Sequence, residues 1–406
     1  MKILAIETSC DDTGIAILGV KEGKTPEFSV LANVVASQIE MGKKYGGVFP
    51  AMAKREHQRN LLPALIKALK KSNLLKISNF QFGVPFGSFN EFSIKQISKL
   101  KEILEREPEL AKKLIPFLKK YQKPNIDAIA ITNGPGLEPC LWVGVNFAKV
   151  LSCFWNIPII PVNHIEGHIL VNWLPIYENS KSEIRNPKLP VVALIVSGGH
   201  TQIVLMEKVG KYQILGETRD DAAGECFDKC AKILGLSYPG GPIISELAKK
   251  SKSGIITLPR PMLNTKDYDF SFSGLKTAVL YMDRDTKLKN KKYKEAMCSE
   301  IQQAIIDVLI KKTMKAVKDF GAKTLILGGG VSANQELRRQ FQAQTEKNNI
   351  AFLVPPANLS TDNGLMIAVA GYFHKNEKMY WSRPVGRGCS TKSAQTLEAN
   401  ANLRLK

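Results

Sequence analysis

Two stretches far apart in this chain share one pattern: an apolar strand, a short turn of small and polar residues, and a second apolar strand. Ile3–Ile6 passes through Glu7-Thr8-Ser9-Cys10-Asp11-Asp12-Thr13 into Gly14–Leu18. Val191–Ile195 passes through Val196-Ser197-Gly198-Gly199-His200-Thr201-Gln202 into Ile203–Met206. Strands joined in this way pair as hairpins. Their recurrence is an internal duplication, with each hairpin opening an α/β half, and the expected fold is two related α/β domains facing a cleft.

Hydrophobic periodicity fills in both halves. In the first, it predicts helices over Ala53–Lys70 and Leu141–Phe154 and a buried strand over Ile126–Thr132. In the second, it predicts helices near Ala222–Leu234, Pro242–Lys250 and Tyr293–Phe320, then a strand Lys323–Leu327 ending in Gly328-Gly329-Gly330. Lys, Ser, Asn and Pro gather without periodicity between Pro175 and Pro190, so the domains are expected over 1–175 and 190–374, with a tail over 375–406. Residues 76–124 interrupt the first domain. There Phe80, Phe82, Phe86 and Phe89 precede Ile94, Ile97, Leu100, Ile103 and Leu104 at helical spacing, with basic residues in excess. This reads as a helical hairpin inserted on the surface, serving either packing or contact with RNA or a partner.

A chain of 406 residues, 44% hydrophobic, suffices for two domains with their own cores. It contains no apolar run of about 18 residues, and Met1–Ile6 meets Glu7 before a signal-peptide core forms, so a cytosolic protein with no membrane partner is expected. Seven cysteines without Cys-x-x-Cys spacing fit reduced thiols, and Cys226 and Cys230 share a helical face suited to the core. The formal net charge of +20 exceeds what solubility needs. It implies a polyanionic partner, of which nucleic acid is the commonest, unless the surface is merely basic and solvated.

His164-Ile165-Glu166-Gly167-His168 holds two of the five histidines four residues apart. On a helix such residues share a face, where neutral imidazoles converge on one metal ion, although a chance pair of surface histidines needs none. Zinc proteases of the His-Glu-x-x-His type place their base directly after the first histidine. Glu166 stands two residues on, about 200° around the helix, so a metalloprotease would lack its base.

Four glycine turns, at Ser197-Gly198-Gly199, Tyr238-Pro239-Gly240-Gly241-Pro242, Gly328–Asn334 and Asn133-Gly134-Pro135-Gly136, let backbone N–H groups approach a phosphate and together favour a nucleotide. No Walker lysine accompanies them. Gly328–Gly330 is expected to open a helix near Ser332, with Asn334 in its first turn facing a ribose or base. Near the C-terminus, Ser360 or Thr361 is expected to cap a helix whose first turn holds Asp362. That carboxylate either compensates the helix dipole or, from the second half of the fold, completes the histidine pair as an oxygen ligand.

Taken together these residues resemble the TsaD/Gcp family, which makes N6-threonylcarbamoyladenosine in tRNA and belongs to the actin, sugar kinase and Hsp70 superfamily of duplicated RNase H-like domains. The matching pieces are Ile6–Thr13, Asn163–His168, Val196–Gln202, Asp220–Lys229, Tyr238–Pro242, Phe270–Lys276, Gly328–Asn334 and Thr361–Gly364, ordered from Met1 to about Tyr372. The resemblance implies a metal, iron or else zinc, on His164, His168 and Asp362. It implies that Ile195, Val196, Ser197, Gly198 and Gly199 line the phosphates of threonylcarbamoyl-AMP, and that Asp228, Gly241 and Asn334 contact its adenosine. The implied reaction transfers the threonylcarbamoyl group to N6 of adenosine 37 in tRNAs that read codons beginning with adenine, without a covalent nucleophile. Asp220-Asp221-Ala222-Ala223-Gly224-Glu225 is similar to the bacterial version, which implies TsaB and TsaE as partners. Pro139, where the family carries a small residue, leaves the shape of the Gly134–Leu137 loop open, and the insert lies where TsaB is expected to dock. The rival readings are a small-molecule kinase on the same fold, a metalloprotease, and a non-enzymatic actin-like or chaperone role.

Overall fold

The computed structural model describes residues 1–23, 25–78, 90–178, 181–183, 186–251, 254–286, 290–377 and 397–405. In chain order the elements are β1 (Lys2–Glu7), β2 (Thr13–Lys21), β3 (Glu27–Ala36), α1 (Ile39–Tyr45), α2 (Pro50–Lys71), α3 (Asn90–Ile103), α4 (Pro108–Lys120), β4 (Ala128–Gly134), α5 (Glu138–Trp155), β5 (Ile159–Asn163), α6 (His164–Leu170), and a short hairpin of β6 (Ile176–Glu178) and β7 (Lys181–Glu183). There follow β8 (Val191–Val196), β9 (Thr201–Lys208), β10 (Lys211–Glu217), α7 (Ala223–Ile233), α8 (Gly240–Ala248), α9 (Ser273–Asp285), α10 (Lys291–Asp319), β11 (Thr324–Gly328), α11 (Gln335–Lys347), β12 (Ala351–Leu353), α12 (Ala357–Ser360) and α13 (Gly364–Phe373).

The duplication is explicit in the sheets. The first has the order β3-β2-β1-β4-β5 and the second β10-β9-β8-β11-β12. In each, the first strand of the half pairs antiparallel with its hairpin mate and parallel with a later strand: β1 with β2 and β4, β8 with β9 and β11. Strands at the centre of a mixed sheet covered on both faces read as continuous apolar runs. Accordingly Ile3, Leu4, Ala5 and Ile6, and Val191 to Val196, are fully buried.

Two compact units carry these sheets. The first comprises Met1–Gln38, Val48–Val171 and Asp362–Arg404; the second comprises Ile39–Gly47 and Asn172–Thr361, with the last residues of the chain. This corrects the expected division, which assigned everything from 190 to 374 to the second domain. The cause lies in α13, whose sequence Gly-Leu-Met-Ile-Ala-Val-Ala-Gly-Tyr-Phe has no polar face and must be covered all round. It lies on β1 and β2 and against α6.

One face of the first sheet is built for that helix. Leu4, Ile6, Ile15, Ile17, Ile129 and Ile131 join the core under α2 and α5. The alternate positions Ala16, Ala5 and Ala130 are directly paired across three strands, so they form a row of small side chains on one face. Gly364 sits against Ala16 and Gly371 against Ala130; a Cβ added to either glycine would come within 2.5 Å and 2.6 Å of them. Backbone thus meets sheet with no side chain between, which fixes how far along the sheet α13 lies.

The insert differs from a surface hairpin. Its two helices, α3 and α4, are present, but Leu100, Leu104, Leu110, Leu114, Phe117 and Leu118 are buried in the core of the first unit. The segment with Phe80, Phe82, Phe86 and Phe89 lies outside the described residues. Leu397 from the tail is buried in the same core, Asn400 N–H donates to the Asn133 carbonyl at 2.7 Å, and Gly136 N–H donates to the Ala401 carbonyl at 3.2 Å. Pro139 falls in the first turn of α5, where its missing N–H would have had no helical partner.

The turn after β11 also departs from expectation. Gly330–Ala333 is a 3-10 turn, and α11 begins at Gln335 with Asn334 as its N-cap. Gly329 has φ of +84°, and a Cβ there would lie 2.5 Å from the Val196 carbonyl oxygen, so glycine is required by the neighbouring strand. Gly329→Val is therefore expected to destabilise the protein by more than about 3 kcal/mol through left-handed strain plus overlap, read as a fall in the denaturation midpoint. A midpoint within a degree or two of wild type would contradict this.

Candidate metal centre

Asn163 ends β5 and caps α6, its side chain accepting the N–H groups of Ile165 at 2.9 Å and Glu166 at 3.3 Å. This short buried helix presents His164 and His168 on one face, rings 4.7 Å apart and edge to face. At the far end of the chain, Asn363 caps α13 by accepting from Leu365 and Met366 N–H. The expected cap at Ser360 or Thr361 is thereby corrected: Asp362 stands just before the helix and not in its first turn. The seating of Gly364 on β2 carries Asp362 to the histidines, with Oδ1 3.2 Å from His168 Nε2 and 3.6 Å from His164 Nε2. All three residues belong to the first unit, which corrects the expectation that the carboxylate would come from the other half.

The donor set fits a metal ion. One ligand atom from each of His164, His168 and Asp362 lies within 4.8 Å of the others. Nitrogen and oxygen ligands about 2.1 Å from a common ion stand roughly 3–4 Å apart, so only small adjustments are needed. Two imidazoles and one carboxylate leave further coordination positions open.

Behind the histidines lies a carboxylate that sequence reading overlooked. Glu7, the fully buried last residue of β1, accepts from Ser9 N–H at 2.5 Å and from the Thr132 hydroxyl at 2.5 Å. Its Oε2 is 3.3 Å from His164 Nδ1, and Ser9 Oγ is 3.0 Å from the same nitrogen. A hydrogen on Nδ1 points toward these oxygens and leaves Nε2 for the Asp362 side, an arrangement that sets the tautomer of a metal-ligating histidine. Burial opposes charge on His164, but Asp362 and Glu7 outweigh it and hold its pKa at about 9. For His168 burial prevails over Asp362, and the neighbouring His164 adds to it, so its pKa is lowered. The pair shares one carboxylate, which favours a proton on His164 over one on His168. A metal ion would replace that proton.

The turn Thr8–Asp12 borders the cluster. His57 braces it, Nε2 donating to the Cys10 carbonyl at 2.9 Å while Nδ1 accepts the Thr13 hydroxyl at 2.8 Å; burial lowers its pKa and keeps it neutral. Burial raises the carboxyl of Asp12 to about 7 and, helped by Asp362, lifts Asp11 as well. Burial also pushes the Cys10 thiol well up. Cys226 and Cys230 are buried with Sγ atoms 3.9 Å apart, too far for a disulfide, so these thiols are inert.

Glu166 turns away from the cluster. Its Oε2 is 2.8 Å from His374 Nε2, and His374 Nδ1 is 2.8 Å from Glu377, so Glu166 is not placed as a metalloprotease base. The Glu166 hydrogen bond, aided by Glu377, raises the His374 pKa to about 9. A histidine raised above its ordinary value of about 6.5 stabilises the fold fully below that pH and loses the contribution as pH rises through the folded value. We expect His374→Gln to cost on the order of 2 kcal/mol at pH 6.5 and much less at pH 9.5, by urea unfolding. An equal cost at both pH values would rule out the ion pair.

The other sequence-selected residues lie in the second unit. Ile195 and Val196 end β8, fully buried, and Ser197 closes a turn in which its Oγ accepts His200 N–H at 3.1 Å. Gly198 and Gly199 have nothing within 4 Å of an added Cβ, so their backbone is open to a ligand. Gly224, opening α7, donates to the Ser197 carbonyl at 3.1 Å, and Gly329 abuts Val196. Asp228 accepts Gly240 N–H at 2.7 Å beside Gly241. Asn334 is engaged within the fold, Oδ1 with Leu337 N–H at 3.0 Å and Nδ2 with Gln302 at 2.8 Å, which corrects the expectation of a first-turn residue turned to a ligand.

The repeated sheet order, with a two-histidine, one-carboxylate cluster in its first half, defines a duplicated α/β protein in which each half carries the same mixed five-stranded sheet. Residues 29–79 and 108–369 match the TsaD family, tRNA N6-adenosine threonylcarbamoyltransferase. The tRNA N6-adenosine threonylcarbamoyltransferase of Thermosipho africanus is 42% identical over 100% of both chains. That of Polynucleobacter necessarius is 42% identical over 91% of each, and that of Clostridioides difficile 40% identical over 91% of this chain and 92% of its own. The chain belongs to the tRNA N6-adenosine threonylcarbamoyltransferase family.

Proposed function

We propose that this protein transfers the threonylcarbamoyl group from threonylcarbamoyl-AMP to N6 of adenosine 37 in tRNAs that read codons beginning with adenine. The observation that carries the reading is the cluster of buried His164 and His168 with the half-buried Asp362 in a chain of this family. The metal, iron or alternatively zinc, would supply Lewis-acid polarisation of the carbamoyl group and a template for the threonyl part. The open backbone at Gly198 and Gly199, with Ile195, Val196 and Ser197 behind it, is suited to the phosphate, where N–H groups stabilise charge on the departing AMP. Asp228 and Gly241 would bind the adenosine, and Asn334 would act there by fixing the start of α11.

The mixed anhydride is already activated, so positioning supplies most of the rate. As the N6 amine forms its bond to the carbamoyl carbon, the phosphate leaves with the electron pair and the nitrogen sheds a proton. That proton passes to the departing phosphate or to solvent. TsaB and TsaE are the partners this reading assigns, in the cytoplasm. The test combines purified protein, threonylcarbamoyl-AMP generated in situ and tRNA, followed by nucleoside analysis. Absence of the modified adenosine, with metal loaded and partners added, would refute the reading.

A further inference from the structure

Helices α2 and α4 of the first unit lie side by side and run the same way. Arg59, midway along α2, meets Glu109 at the start of α4 at 3.6 Å. Beyond their ends, Ile77 bridges Tyr121, Ser78 N–H donates to the Lys120 carbonyl at 3.0 Å, and Gln122 N–H to the Lys76 carbonyl at 2.9 Å. The two C-termini are thereby held together. Lys70, Lys71, Lys76, Lys119, Lys120 and Lys123 are all exposed there. Among the described residues none of these six pairs with a carboxylate: Lys123 reaches the Asn156 carbonyl and Lys120 lies over the Tyr121 ring. The acids on the same two helices, Glu56 and Glu109, are taken up by Arg59 at the opposite end. Lys112 and Lys113, one heptad before Lys119 and Lys120, continue the stripe.

Helix dipoles explain only part of this. Each C-terminus carries about −0.5 of a charge, so two helix ends are offset by roughly one lysine. The remainder is unrelieved like charge, a standing cost that an anion removes. Lysine binds phosphate as a point charge without demanding planar geometry, which suits a nucleic-acid backbone. A protein-docking face would add aromatic or aliphatic anchors, whereas among the described residues the large apolar side chain exposed here is Ile77.

We infer that the joined ends of α2 and α4 form a docking surface for the tRNA phosphate backbone, made of residues other than those of the metal cluster in the same unit. The inference rests on the transferase reading and assigns part of its substrate binding. Because the insert helices belong to the core, deleting them is no clean test, and exposed point substitutions are used instead.

The combined variant Lys70→Gln, Lys71→Gln, Lys119→Gln, Lys120→Gln is compared with wild type and with a charge-matched control, Lys208→Gln, Lys211→Gln, Lys249→Gln, Lys250→Gln. Each phosphate contact contributes about 0.7–0.9 to the slope of log K against log salt, so the first variant, which removes four, should lose about 3 from the slope and at least ~10-fold in tRNA affinity. Metal content and AMP affinity should stay at wild-type values, and the control should keep nearly the whole slope. A folded variant with unchanged slope and affinity overturns the inference, as it would if the lysines met an acidic protein instead. An equal slope change in the control overturns it too, by reducing the effect to net charge. Wild-type protein that neither binds nor modifies tRNA takes down the transferase reading and this surface together, whereas wild type that modifies tRNA, beside a variant of unchanged slope, removes the surface alone.

Discussion

His168→Ala and Asp362→Ala are each expected to strip the bound metal and to lower threonylcarbamoyl transfer by more than ~100-fold, while AMP affinity changes less than about twofold. Each substitution removes one of three ligand atoms that lie within 4.8 Å of one another. No other histidine of the first unit can replace it: His57 is bound on both ring nitrogens to the Ser9–Thr13 turn, and His374 is held between Glu166 and Glu377. Nucleotide affinity should be preserved because the residues proposed to bind the nucleotide, Ser197 to Gly199, Asp228 and Gly241, belong to the second unit. Elemental analysis, calorimetry with AMP and nucleoside analysis supply the three readouts. Full metal occupancy in the Asp362 variant would mean that the cluster is a hydrogen-bonded structural triad and nothing more.

Glu7→Ala should have the next largest effect, and on two observables at once. Removing this carboxylate leaves the Ser9 N–H and the Thr132 hydroxyl without an acceptor in a fully buried place, at about 1–3 kcal/mol each. A loss on the order of 3–5 kcal/mol in urea unfolding is expected. Glu7→Gln keeps an acceptor and the packing but turns an amide donor toward a site that already has three donors. It should retain more stability, yet weaken metal affinity by roughly 10–100-fold, since the oxygen facing His164 Nδ1 loses its charge. Competition against a chelator measures this. Wild-type metal affinity in a folded Glu7→Gln protein would show that Glu7 supports the turn without orienting the ligand.

What the sequence made legible was local. The two hairpins, the long helices and the His164–His168 pair are patterns written within about a dozen residues, where period alone decides. The association of Asp362 with the histidines was legible only as chemistry, as a missing oxygen ligand, and its side of the molecule was misassigned because residues near a chain's end were counted with their neighbours in sequence. The packing of α13 depends on the row Ala16, Ala5, Ala130, three residues from three strands that no spacing connects. Glu7 was passed over as the start of a polar turn; a carboxylate directly ending an apolar strand is the signal that would have found it. The insert looked peripheral because its charge is conspicuous, whereas Leu110, Leu114 and Phe117 on its inner face belong to the core. Asn334 was selected as a site residue by type and motif, and it is a helix cap, as Asn363 is, the use to which asparagine is most readily put.

The row of alanines under α13 has a consequence for how the protein is made. His164 and His168 leave the ribosome with most of the chain still to be synthesised, and Asp362 follows only after Asn172–Thr361, the bulk of the second unit. During translation the first unit therefore exists with a bare face of small side chains and two histidines lacking their carboxylate. The carboxylate arrives only when α13 folds back across that face, so the cluster of His164, His168 and Asp362 cannot be assembled before the chain has been made through α13.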